Sequence, residues 1–327
     1  MKVLVKGVPH HWVPSNRGLN PADLPLTGRY YPAGFPLELT TNSLGVLQAA
    51  EESWGQWPSE HARRPIRLRV IASPAGARAG APSFHRYDHL LCVVSDSDNF
   101  AVADLNSLEA CLFVSAQTAA DRAWMRWFFL DALAYILLAQ RYTVPVHAAC
   151  VARQQAGVLL CGRSGAGKST LSFACARAGW TFLSDDGTWL LPESGDSTAI
   201  GRPFLARFRT DAPRWFPELD GFPQSVRPDG KVSLEIPLEQ VPDIRTARNC
   251  RVSSVVLLDR RPGWQAQVQE IPPSEAIEFM LEEIRSYGAE VDRRSRQTVR
   301  KLAHVPAYRL QYDGLDRAVE LLSGLKL

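Results

Sequence analysis

The chain has 327 residues, 46% of them hydrophobic and 22% charged, with a formal net charge of +3. That balance excludes long disorder and is enough for one large domain or two modest ones. So small a charge singles out neither nucleic acid nor a membrane surface as a partner.

The opening "MKVLVKGVPHHWVP" has too short an apolar core for a secretory signal. The most hydrophobic run, "WFFLDALAYILLA" at 127–139, follows Arg126 and contains Asp131. It falls short of the ~20 residues that cross a bilayer, so it is expected as a mostly buried helix in a cytoplasmic protein. Cys92, Cys111, Cys150, Cys161, Cys175 and Cys250 show no C-x-x-C spacing. They read as buried free thiols in a reducing compartment.

In "TNSLGVLQAAEESWG", Asn42 or Ser43 can cap a helix that Gly55 ends. "PIRLRVIAS" alternates Ile66, Leu68 and Val70 with Arg67 and Arg69, a half-exposed strand whose arginines form the wet face. Residues 73–83 are a loop by composition. "HLLCVVSD", "NFAVADL" and "ACLFVSA" are spaced as an antiparallel meander, closed by a long helix near 120–140. Beyond it, "TVPVHAACVARQQAGVLLCG" holds two β-rich segments, followed by the helix "KSTLSFACARAG" and the strand "WTFLSDD". An irregular stretch is expected over 192–230, then strands near 231–236 and 252–259. Helices near 274–286 and 291–303, the strand "AYRLQYD" and the helix "LDRAVELLSGL" complete the chain. The expected division is an N-terminal α+β module over 1–140, suited to recognising a partner or acceptor, and an α/β module over 141–327.

"CGRSGAGKST", Cys161 to Thr170, contains G-x-x-x-x-G-K-S from Gly162 to Ser169, between the strand "GVLLC" and a helix. That order is the context a phosphate loop needs. Gly162, Gly165 and Gly167 let the backbone of Arg163, Ser164 and Ala166 turn its N–H groups inward, and Thr170 lies in the first helical turn. Lys168 can reach β- and γ-phosphate oxygens, and the Ser169 hydroxyl can ligate Mg²⁺. The segment reads as a nucleoside triphosphate site.

No N-K-x-D motif marks a GTPase, and "ELLSGL" lacks the second glycine of a transporter signature. "SVVLLDRR" ends a strand on Asp259, but Arg260 follows where a hydrolytic glutamate belongs. Transfer has positive support: "FLSDD" puts Asp185 and Asp186 at the end of the strand after the loop's helix. A parallel neighbouring strand would end on the same sheet edge. One carboxylate could hold Mg²⁺ and the other accept a hydroxyl proton; the alternative is that one is only a loop ion pair. His147, in "PVHAAC", lies on the strand before the loop's strand.

"VHAACV", "GVLLCGRSGAGKSTLSFACARAGW" and "TFLSDD" together resemble the catalytic domain of the HPr kinase/phosphorylase family, especially its small bacterial relatives. The resemblance is specific over 143–190 and weak over the first 80 residues. It implies an α/β P-loop kinase domain of the HPr kinase/phosphoenolpyruvate carboxykinase type, preceded here by the smaller α+β module. It also implies ATP and Mg²⁺ as cofactors and a protein or peptide carrying an acceptor serine as partner. In that likeness Asp185 is the proton acceptor, Asp186 the metal- or site-ordering acid, and His147 the active-site histidine; the two aspartates could exchange roles. Lys168 and Ser169 keep their phosphate-loop parts. Hexamers in the family make self-association an expectation. This chain departs in Thr170, where the family often has an acidic residue, and in lacking the downstream glycine-rich segment tied to the reverse reaction and to HPr.

Arg202, Arg207, Arg209 and Lys231 are candidates to clamp a phosphoryl group, or else belong to a solvated loop. Arg293, Arg294, Arg296, Arg300 and Lys301 read as a wet helix face, with an acidic-partner surface as the rival. Trp54, Trp57, Trp124, Trp127 and Trp215 read as packing. Two further readings stay open: a nucleotide-sensing scaffold, and an ATPase with Asp259 on the metal.

Overall fold

A computed structural model describes residues 24–195, 197–284 and 286–326; the opening "MKVLVKGVPHHWVP" lies outside them. Alternating apolar residues build the first sheet. Its strands are β1 (Leu26–Tyr30), β2 (Leu37–Thr41), β3 (Ile66–Ser73), β4 (Ser83–Tyr87), β5 (Leu90–Val94), β6 (Phe100–Asp104) and β7 (Glu109–Ser115). They lie in the order β1-β2-β3-β7-β6-β5-β4. Ile66, Leu68 and Val70 are buried, while Arg67 bonds Glu38 and Glu109 on the opposite face. The three expected meander strands pair as β5–β6–β7, and β4 adds an antiparallel edge strand.

The buried face of this sheet packs on α1 (Leu44–Trp54), α2 (Ala116–Ala120), α3 (Arg122–Trp124) and α4 (Asp131–Arg141). The long helix expected near 120–140 is therefore interrupted. Ser115 caps α2 by accepting from the Thr118 N–H, and Asp121 caps α3 by accepting from that of Trp124. Met125–Leu130 then form a π-helical stretch. The wider turn buries Met125, Phe129 and Leu130 and leaves Trp127 half-buried.

The chain then builds β8 (Val144–Arg153), β9 (Ala156–Cys161), α5 (Lys168–Arg177), β10 (Thr181–Ser184), β11 (Gly187–Leu190) and β12 (Thr198–Gly201). Next come β13 (Leu205–Phe208), β14 (Gln224–Val226), β15 (Val232–Pro237), β16 (Arg245–Thr246), β17 (Asn249–Arg260) and β18 (Gln267–Ile271). Helices α6 (Pro273–Glu282) and α7 (Ala289–Arg300), β19 (Ala307–Tyr312) and α8 (Leu315–Ser323) follow. Nine of these strands form one mixed sheet, in which β9, β17 and β19 run parallel. β13, β15 and β14 form a small separate sheet, so the stretch expected to be irregular is partly β-structure.

β9 is covered on both faces, as its unbroken apolar run requires. Val158 and Leu160 pack toward α5 and α8, and Leu159 and Cys161 toward α6 and α7. The result is a mixed α/β architecture with several sheets. Among the described residues no helix is long and apolar enough to cross a membrane. Cys150, Cys161, Cys175 and Cys250 are buried, but Cys92 and Cys111 are only half-buried.

The basic face of α7 divides. Arg293, Arg296 and Arg300 are exposed. Arg294 instead donates to the carbonyls of Ala139 and Gln140 at the C-terminal end of α4, where a cation is favoured. Arg294→Ala is expected to cost about 1–3 kcal/mol, because charged hydrogen bonds are lost. Arg296→Ala should change stability by less than about 0.5 kcal/mol. Denaturant midpoints check both, and equal losses would show that Arg294 holds nothing.

Candidate functional site

β8 is antiparallel to β9 along one edge, with Ala148 opposite Cys161, so His147 lies beside the root of the glycine loop. β11 pairs with β8 in a register that sets Gly187 opposite His147. Asp186, one residue earlier, therefore arrives at the same point. β10 also pairs antiparallel with β8 and so runs in the direction of β9, with β8 between them. The expectation of neighbouring parallel strands is corrected: the acids reach the loop's edge across an antiparallel strand. Asp185 and Asp186 form the two-residue link between β10 and β11. This tight link lets consecutive side chains enter one cleft despite strand alternation.

Asp186 Oδ1 lies 2.8 Å from His147 Nε2 and 3.7 Å from Lys168 Nζ. His147 Nδ1 is 3.2 Å from Glu283 Oε2, just beyond α6. Asp185 Oδ2 accepts the Arg207 backbone N–H at 2.7 Å, and the Asp185 carbonyl accepts the Ser169 hydroxyl at 3.4 Å.

The glycine loop joins β9 to α5. Gly165 and Gly167 have φ of +89° and +93°, in the left-handed region that suits glycine. A Cβ on Gly167 would also lie 2.4 Å from the Tyr312 hydroxyl oxygen. That hydroxyl donates to the Ala166 carbonyl at 2.9 Å, tying the loop to the end of β19. Lys168 is 6% exposed and donates to the Gly162 carbonyl at 2.8 Å, which folds its ammonium back over the loop. No side chain caps α5, so its first N–H groups keep their capacity for an anion.

Ser164, Gly165, Gly167, Lys168, Ser169 and Thr170 border a cleft of about 820 Å³, while Gly162, Arg163 and Ala166 of the expected set do not line it; the volume is within the size range of small-molecule sites. Lys168, Arg202, Arg207, Arg209, Arg227, Lys231 and Arg260 line it, against Asp185, Asp186 and Asp211. The excess of positive charge suits a polyanion. All four expected clamp residues are here, with local ties: Arg207 Nε bonds Glu235 at 2.8 Å, and Arg202 lies 3.7 Å from Asp131. Lys231 is mostly exposed. Trp127 and Trp215, expected as packing, line the cleft instead, whereas Trp54 and Trp57 are buried. Arg207 and Arg227 lie 5.6 and 5.3 Å from the Trp127 ring, and Arg260 lies 5.3 Å from that of Trp215.

Sequence reasoning missed Glu283, Arg227 and Arg260. Arg260 was accessible to it, since it ends a strand parallel to the loop's own. Glu283 was not, because 136 residues separate it from His147. Asp259 does not line the cleft; its carboxylate accepts from Arg261 at 2.9 Å and Gln311 at 3.2 Å.

Burial pushes the Asp185 carboxyl up to about 6, and the Asp186 charge adds to this, against the pull of Arg207. Asp186, although its side chain is 62% exposed, also feels desolvation. Its contact with His147 and the nearby Lys168 charge outweigh that effect and hold it below the ordinary carboxylate range. The hydrogen bond to Asp186 raises His147, against burial and the Lys168 charge. Among the described residues no cluster of three or more His, Cys, Asp or Glu forms a metal cage. The oxygens of Asp186 and Ser169 are nevertheless the hard donors that Mg²⁺ takes alongside substrate phosphates. They fit an ion that arrives with a nucleotide.

No protein-family model matches this chain, and no curated protein matches it. Among solved structures, the Hpr(Ser) kinase/phosphatase from Coxiella burnetii is similar to it, at 13% identity and a TM-score of 0.30. The likeness covers 55% of this chain and 93% of that one. At that level it is a distant resemblance and carries no functional conclusion.

Asp185 titrates near 6 in the folded protein against 3.8 ordinarily, so its ionised form opposes folding above about pH 6. Below 3.8 the carboxyl is neutral in both states and the penalty is gone. Asp185→Asn should therefore raise stability by roughly 1–3 kcal/mol at neutral pH and by nothing measurable in acid. Denaturant midpoints across pH check this; a gain independent of pH would mean that burial does not perturb Asp185.

Proposed function

We propose that this protein is an ATP- and Mg²⁺-dependent kinase that transfers the γ-phosphoryl group to a hydroxyl, that of a serine in a protein or peptide. One observation carries the reading: the Asp185–Asp186 link faces Lys168 across the mouth of the glycine loop, with Asp186 Oδ1 3.7 Å from Lys168 Nζ. The loop's N–H groups and the α5 N-terminus bind the phosphates, and Lys168 swings from the Gly162 carbonyl onto their oxygens. Asp186 and Ser169 would hold Mg²⁺, which when bound offsets charge on the β- and γ-phosphates.

Asp185 is the base. The acceptor oxygen attacks the γ-phosphorus, the bond to the bridging oxygen breaks, ADP leaves, and the hydroxyl proton passes to the Asp185 carboxylate. Its attachment to the Arg207 N–H fixes where that carboxylate points. His147, braced by Glu283, orients Asp186. The cleft arginines supply further charge against the transferring group. Within this reading residues 1–140 recognise the acceptor. The hydrolytic alternative loses its metal-site acid, because Asp259 is tied to Arg261 and Gln311 away from the cleft.

With γ-labelled ATP and a serine peptide library, Asp185→Asn should lower transfer by roughly 10²–10⁴-fold. ATP affinity should stay within a few-fold, and Asp259→Asn should change transfer little. Release of free phosphate alone across a broad acceptor set would end the kinase reading. So would loss of turnover in Asp259→Asn with Asp185→Asn intact.

A further inference from the structure

A second compartment of about 700 Å³ opens from the phosphate cleft. Trp127, Tyr135, Trp189, Arg202 and Arg207 line both spaces. Because the Arg207 N–H holds Asp185 at 2.7 Å, the shared wall begins one hydrogen bond from the proposed base. The far wall comes from other parts of the chain: Phe84 and Leu91 from the first sheet, Ile136 from α4 and Pro145 from β8. Edge strand β4 explains the opening. Phe84 is opposite Val93, which is fully buried, so Phe84 faces the helix side of the sheet, yet it remains 45% exposed.

Two polar groups distinguish this space from a plain apolar hollow. Asp131 and Tyr135 stand one helical turn apart on α4 and both line the compartment. Asp131 Oδ1 and the Tyr135 hydroxyl are shut off from solvent with no hydrogen-bond partner among the described residues. An unmet buried polar atom costs stability, and these two, unlike the equally unmet indole N–H groups of Trp54 and Trp57, belong to residues that border an open space. Burial raises the Tyr135 phenol, keeping it a donor, and the Asp131 carboxylate accepts. A peptide backbone offers a C=O to the first and an N–H to the second in every residue except proline, once the two side chains turn inward. An apolar alcohol would use its hydroxyl in the reaction and leave both unmet.

We infer that this compartment binds the acceptor: it takes a large apolar side chain next to the phosphorylated serine in a peptide segment, with Asp131 and Tyr135 bonding the backbone. The inference rests on the kinase reading above. One step of extended chain covers about 3.3–3.6 Å, so a residue one or two positions from a serine at Asp185 reaches past Trp127 into the space. Trp189, stacked here on Tyr135 with ring centroids 4.8 Å apart, gives that side chain an aromatic wall.

The test is a serine peptide library, varied at the two positions on each side, labelled with γ-labelled ATP by the full chain. Phe, Trp, Leu or Ile should be enriched at one of these positions by tenfold or more over Asp, Glu or Lys. Phe84→Asp should raise KM for the best peptide at least tenfold with ATP affinity unchanged. Ile136→Trp, which fills the space without adding charge, should do the same and guards against a folding defect in the first variant. Labelling without apolar enrichment, or an unchanged KM in both variants, overturns the compartment and leaves the kinase reading standing. Labelling of free apolar alcohols in preference to peptides overturns the peptide assignment. No labelled acceptor of any kind, with ATP bound, defeats both readings.

Discussion

Strand β8 is hydrogen-bonded along both edges, to β9 on one side and to β10 and β11 on the other. A register is discrete, and a slip of one residue would turn every side chain on β8 to the opposite face. His147 cannot reach Asp186 in any other register, nor can the loop after Cys161 open beside them. The pairings β8–β11–β12–β17–β9 close on themselves, so neither partner can shift alone. The whole constellation hangs on that closed set of ladders more than on any single polar contact.

Within the frame, two adjacent acids are treated unequally. Asp185 looks inward toward a backbone N–H, where desolvation dominates; Asp186 looks outward to an imidazole and an ammonium. Environments that drive neighbouring carboxyls in opposite directions are what the proposed transfer needs to divide proton handling from charge holding. Glu283 extends this arrangement beyond the first contacts: one carboxylate at each nitrogen holds the ring of His147 in a single orientation.

Much of this could be read from residue order. The glycine loop, its flanking strand and helix, the meander and the helix that Ser43 begins all rest on local periodicity or turn chemistry. Asp185, Asp186 and His147 were found because each stands near the loop in sequence as well as in space. The failures have a different cause. β11, β12 and β13 have four residues each, too short for alternation to register. Trp127 looked like packing because it lies in an apolar run, and only the π-helical stretch leaves it at the cleft. Arg294 could not be told from Arg293 by composition; one more step around α7 decides which of them meets the end of α4. Glu283 is joined to His147 only by tertiary folding.

The hydroxyl of Tyr312 holds the carbonyl of Ala166 from 146 positions further along the chain, and the space it fills is the space Gly167 leaves by having no side chain. The ten letters from Cys161 to Thr170 are therefore portable as text but not as a working part. Transplanted without the closing strand, they would lose the brace that sets the loop's curvature. In this molecule the loop belongs jointly to its middle and its end, and the two must be inherited together.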